Sequence, residues 1–197
     1  MRVSKYIGIC FLLVASIAVA QPGTENSNFW PVHRDTQAGF RISYPSGWII
    51  APPKGRNVLL SVYPPDGPGN CNVVMRSNLE TLNMTQEQIN QEIESLPQSQ
   101  AGWAEYAGLP TGSVRVIESR IAKIFNISAL AGVLETKLEN LEGKYTRYQI
   151  VVVTSRPGEM WVLNCGASSF KEDEAKERFK NLRGKFEKIL GSFMFLK

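Results

Sequence analysis

Residues 114–165, VRVIESRIAKIFNISALAGVLETKLENLEGKYTRYQIVVVTSRPGEMWVLNC, decide the fold. Four stretches, 114–121, 131–138, 145–154 and 160–165, are rich in β-branched and aromatic residues, the side chains that suit a pleated, half-buried surface. Asn126, then Glu142 with Gly143, then Pro157 with Gly158 separate them. Connections this short cannot carry a parallel crossover, so the pattern predicts an antiparallel meander.

Carboxy-terminal to these stretches, Ser169 and Glu172 have the spacing of a helix capping box. Ala175, Phe179, Leu182, Phe186, Ile189 and Leu190 then trace one apolar helical face. Glu172, Asp173 and Glu174 lie in its first turn, with Lys185 and Lys188 near its end, which complements the helix dipole. Gly191 ends this helix, and residues 192–196 read as a closing strand.

Upstream of the meander, Phe40, Ile42 and Tyr44 alternate with Arg41 and Ser43, the period of a half-buried strand, until Pro45, Ser46 and Gly47 break it. Short apolar runs at 48–50, 58–63 and 71–75 follow, the last two joined by PPDGPGN at 64–70. The glycines of that loop lack the spacing of a phosphate loop and read as a hairpin connection. Thr85 with Gln88 forms a capping box, Met84 and Ile89 suit a hydrophobic staple, and Ile89, Ile93 and Leu96 continue at helical spacing until Pro97. Residues 98–112 fit either a second short helix or a loop. Residues 21–38 are polar and read as an amino-terminal arm or linker, with Phe29, Trp30 and Val32 as its apolar anchors. The domain is expected to occupy residues 39–197.

The first twenty residues read as a cleavable signal peptide. Arg2 and Lys5 precede an apolar rod at 7–20, shorter than the roughly 18 residues of a spanning helix, and the rod ends Ala18-Val19-Ala20. The expected product is an exported protein, periplasmic in a Gram-negative host and otherwise secreted, with no membrane span after cleavage. Cys10 would leave with the signal, and Cys71 and Cys165 remain. In an oxidising compartment an even pair reads as one disulfide, while two buried thiols remain the alternative. The formal charge of +4 includes Arg2 and Lys5, so the remainder is near balance and gives no case for nucleic acid. A chain of this size buries about 70 per cent of its unfolded surface in one domain.

His33 is the only histidine and lies in the arm, so a Ser/His/Asp or Cys/His system would have to recruit it from outside the domain. A zinc site would lack a second histidine. No catalytic, metal or cofactor residues are assigned. Glu118 and Glu135 could serve as a carboxylate pair, but they read as members of a solvated sheet face. Trp30, Trp48 and Trp103 are the candidates for contact with a ligand or partner, against a reading of Trp48, Trp103 and Trp161 as core.

Three segments carry a family resemblance: Gly39-Phe40-Arg41-Ile42-Ser43-Tyr44-Pro45-Ser46-Gly47-Trp48, Trp161-Val162-Leu163-Asn164-Cys165 and Phe186-Glu187-Lys188-Ile189-Leu190-Gly191-Ser192-Phe193. Together they resemble the PsbP-like domain superfamily, in which PsbP, Mog and DcrB-type envelope proteins are grouped. The resemblance implies an α+β fold, a central, mainly antiparallel sheet sandwiched between helices, with the carboxy-terminal helix across it. It also implies a noncatalytic protein that binds or assists another, here an envelope protein. No functional site carries over. The other expectations are a binder of a small apolar or aromatic ligand and a carboxylate-based hydrolase.

Overall fold

Strands β6 (Val114–Ile124), β7 (Ile127–Asn140), β8 (Gly143–Arg156) and β9 (Gly158–Ser169) run up and down beside one another in a computed structural model that describes residues 30–196. Every neighbouring pair is antiparallel. The strands outrun the apolar stretches that announce them because the ladder continues through polar pairs, such as Glu139 opposite Lys144 and Asn140 opposite Gly143. The order is then extended by segments distant in sequence. β3 (Ile49–Ala51), β4 (Val58–Tyr63) and β5 (Gly69–Asn78) join along β9 to give a seven-stranded sheet, β3-β4-β5-β9-β8-β7-β6.

Among the described residues three α-helices cover it. On one face lies α3 (Glu172–Gly191), which packs Ala175, Phe179, Phe186, Ile189 and Leu190 against Val133, Tyr148, Ile150, Leu163 and Cys165. On the other, α1 (Gln86–Ser95) and α2 (Gln100–Ala107) pack with Trp103, Leu130, Leu134, Val151, Val153 and Val162. Residues 128–136 are therefore buried without interruption, since both faces of β7 are covered. Trp103 presses its ring on Gly132, where a Cβ would stand 2.5 Å from Cζ2. The indole N–H donates to Ser119 Oγ at 3.1 Å, which satisfies the one polar atom of a wholly buried side chain.

Within residues 98–112 a short helix forms over Gln100–Ala107, where Ser99 Oγ accepts from the Gly102 N–H and Gly108 closes α2 in the left-handed conformation at φ 67°, and the remainder is loop. The Thr85–Gln88 capping box of α1 forms in both directions. The box expected at Ser169 and Glu172 does not. Ser169 is still held in the ladder opposite Thr146, so α3 starts two residues later with Lys171 as N-cap, and Ser169 Oγ donates to Glu174 Oε2 at 3.0 Å instead.

A second, small sheet closes the domain. β1 (Val32–Asp35) and β10 (Met194–Phe195) flank β2 (Phe40–Ser43). The boundary expected at residue 39 thus falls inside a hairpin, whose turn is tied by Asp35 Oδ1 accepting from the Gln37 and Ala38 N–H groups. The signal segment 1–20 and the rest of the arm, 21–29, lie outside the described residues. Within those described, no helix is long and apolar enough to cross a membrane.

Candidate functional site

Between α1, α2 and the 3-10 helix Leu79–Thr81 opens a groove of about 480 Å³, within the size range of ligand pockets. Its floor is apolar, made by Ile93, Leu96, Val153 and Met160, and its mouth carries Glu80, Glu92 and Glu105. All three carboxylates are exposed, and among the described residues none forms an ion pair. The walls are pinned. Thr81 Oγ1 holds the 3-10 helix by donating to Asn78 O or Arg156 O and accepting from the Gly158 N–H, while Gln86 Nε2 donates to Ser155 O at 3.0 Å and anchors α1. Tyr106 donates to Pro97 O at 3.3 Å. Burial and the neighbouring Glu105 charge push its phenol up, so it stays a neutral donor.

At the far end of the same sheet face, beyond α1 and α2, the surface is polar. Ser61 Oγ donates to Asn72 Oδ1, and Asn72 Nδ2 to Asn164 Oδ1, a cross-strand chain over β4, β5 and β9. Beside it Arg147 lies over Gly166, reaching Asn70 Oδ1 at 2.7 Å with Nη1 and Gln149 Oε1 at 3.0 Å with Nε. Only glycine permits this. A Cβ at position 166 would stand 2.6 Å from Tyr148 O and 2.9 Å from Arg147 Nε.

Under the first turn of α3 sits Glu135. It was expected on a solvated face, yet it is 3 % exposed, because α3 crosses the sheet there. Tyr148 donates to Glu135 Oε2 at 2.8 Å, Arg115 pairs with the same oxygen, and Lys137 bridges Glu135 to Glu172. Burial alone would raise the Glu135 carboxyl, but hydrogen bonds from Arg115 and Tyr148 and the charges of Arg115 and Lys137 outweigh it and hold it below its ordinary value. Burial and the same carboxylate push Tyr148 up to about 12. Glu118 is exposed as expected, and the fork of Arg183 grips both its oxygens at 2.9 Å, which lowers its carboxyl.

Glu135→Ala is expected to lower the unfolding free energy at pH 7 by about 1–3 kcal/mol, since it strands the buried Tyr148 hydroxyl. The folded-state value of this carboxyl lies below the unfolded one, so its contribution is complete above the unfolded value and fades as pH falls through the folded one. Urea unfolding at pH 7 and pH 3 should show the gap between wild type and variant narrowing in acid. Equal gaps would contradict the assignment.

The solution structure of cyanobacterial PsbP (CyanoP) from Synechocystis sp. PCC 6803 is similar over 90% of this chain and 98% of its own, with a TM-score of 0.53 at 14% identity. The fold is PsbP-like. LpqN of Mycobacterium tuberculosis, involved in cell envelope biogenesis, is similar over 86% of this chain and 91% of its own, with a TM-score of 0.47 at 14% identity. No protein-family model matches the sequence, and no curated protein matches it.

Within the PsbP-like fold the three candidate tryptophans do not converge. Trp103 is wholly buried on the α1/α2 face. Trp48 is on the α3 side, 8 % exposed and edge-on to Phe186, where it borders a cleft of about 340 Å³ with Pro45, Pro64 and Leu182. Trp30 is half-buried beneath Lys188, whose Nζ lies 4.2 Å from its ring centre. His33 packs on Phe40, with Nε2 buried and without a partner among the described residues. Sequence reasoning missed Arg147 and the acidic groove. A charged residue interrupting the apolar run 145–154 was the available signal for the first, and none was local for the second, whose carboxylates come from three separate elements.

Proposed function

We propose that this chain is an exported, noncatalytic envelope protein that binds a partner protein through the groove between α1, α2 and the 3-10 helix. The observation that carries it is the pairing of an apolar floor with three exposed carboxylates at the mouth that form no ion pair among the described residues, which suits an apolar segment flanked by lysine or arginine. Export is supported by the charged foot, apolar rod and Ala-x-Ala ending of residues 1–20, and by a disulfide between Cys71 and Cys165, which persists in oxidising compartments. The absence of catalysis is supported by the state of the carboxylates considered for it: arginine binds both Glu118 and Glu135, and each is held ionised rather than poised as an acid.

The test is crosslinked capture from envelope fractions with wild type and with Glu80→Lys/Glu92→Lys/Glu105→Lys. A partner enriched by wild type should fall by about tenfold with the charge-reversed variant and fade as salt rises, because rim charges act through steering and screening. No enriched partner, or equal capture by both proteins, would refute the groove as the docking site.

A further inference from the structure

A further cavity, of about 610 Å³, is lined both by Arg147 of β8 and by residues around the start of α3. Arg147 is half-buried, and both of its hydrogen-bond acceptors, Asn70 Oδ1 and Gln149 Oε1, are neutral amides. Among the described residues no carboxylate pairs with it, and Nη2 has no hydrogen-bond partner. A guanidinium taken partly out of water is normally matched by an anion. Here burial pushes Arg147 down to about 10, which still leaves it cationic at neutral pH. The rest of the cavity does not supply the missing charge. Lys171 and Arg178 also line it, and the nearby carboxylate Glu174 is already tied to both of them and to Ser169. The other carboxylate of the lining, Glu142, sits exposed in the β7–β8 turn. One wall is aromatic: Tyr145 meets Phe170 edge-on at 6.5 Å, and Phe170 is 58 % exposed.

From this we infer that the cavity is a binding site for a small organic carboxylate with an apolar or aromatic body, its carboxylate on Arg147 and its body against Tyr145 and Phe170. The amides of Asn70 and Gln149 fix the guanidinium plane, so the site is preorganised for the planar, two-oxygen acceptor that a carboxylate presents. Gly166 is part of the device, because its missing side chain lets the guanidinium lie on the sheet. This site is separate from the acidic groove and does not depend on it.

The test uses the full ¹⁵N-labelled chain titrated with 3-phenylpropionate, with 3-phenylpropanol and inorganic phosphate as separate arms. Phenylpropionate should shift the Arg147 Nε–H signal and the amides of Tyr145 and Ser168 in a saturable way, about tenfold more tightly than either control. Arg147→Gln should lose about tenfold in affinity, the size of one charge-assisted contact. If Arg147→Gln does not fold, Phe170→Ala serves in its place, since Phe170 is mostly exposed, and should weaken phenylpropionate severalfold while leaving phosphate unchanged. No saturable shift at Arg147 overturns the site. Equal affinity for phosphate and phenylpropionate overturns the apolar half of it.

Discussion

Cys71→Ala/Cys165→Ala is expected to cost about 4 to 5 kcal/mol of unfolding free energy in the chain-entropy account, an upper figure for real bridges. The two residues face each other across the β5–β9 ladder and are bonded, closing a loop with a sequence separation of 94. Both are buried in the α3-side core, so the alanines also lose packing. Urea unfolding of oxidised wild type, reduced wild type and the double variant separates the contributions. Reduction should account for most of the loss and should raise the m-value, because the uncrosslinked denatured chain exposes more surface. A reduced protein as stable as the oxidised one would show that the bridge adds nothing beyond packing. The consequence for function is a sheet whose far edge, β3-β4-β5, is covalently tied to the central meander.

Trp161→Ala is expected to cost about 3–5 kcal/mol, the range for deleting a large buried aromatic. Trp161 is wholly buried and packs against Phe40, Phe193 and Phe195 with ring centres 5.7, 5.8 and 5.2 Å away, and its N–H donates to Glu159 Oε2. These rings join the small sheet to the large one, since Phe40 lies in β2 and Phe195 in β10. The loss should therefore be uneven. Limited proteolysis of the variant should cut first near the carboxy terminus, after Phe193 or Phe195, while the β6–β9 meander stays protected. Uniform opening of the chain would mean that the small sheet and the core unfold as one unit.

Local signals carried much of this fold. The period-two pattern at Phe40, Ile42 and Tyr44, the apolar stripe of α3 and the Thr85–Gln88 box each depend on residues a few positions apart, and each appears where expected. The failures share a cause. Ser169 and Glu172 have capping-box spacing, but the β8–β9 ladder claims Ser169 first. Glu135 alternates like a solvated strand residue until α3, which lies far along the chain, crosses above it. Residues 32–35 are polar enough to pass for an arm, yet β2 offers them an open edge.

By itself, then, the sequence determined the antiparallel meander, the position and apolar face of α3, and an amino terminus with the pattern of an export signal, because each is encoded in short-range periodicity and turn chemistry. Only the tertiary structure decided which strands lie next to β9, that Cys71 meets Cys165, that Arg147 lines a cavity with no carboxylate paired to it among the described residues, and that Glu80, Glu92 and Glu105 ring one apolar floor. Those features are set by long-range packing, in which the neighbours that decide a charge's surroundings come from elements that no local window contains.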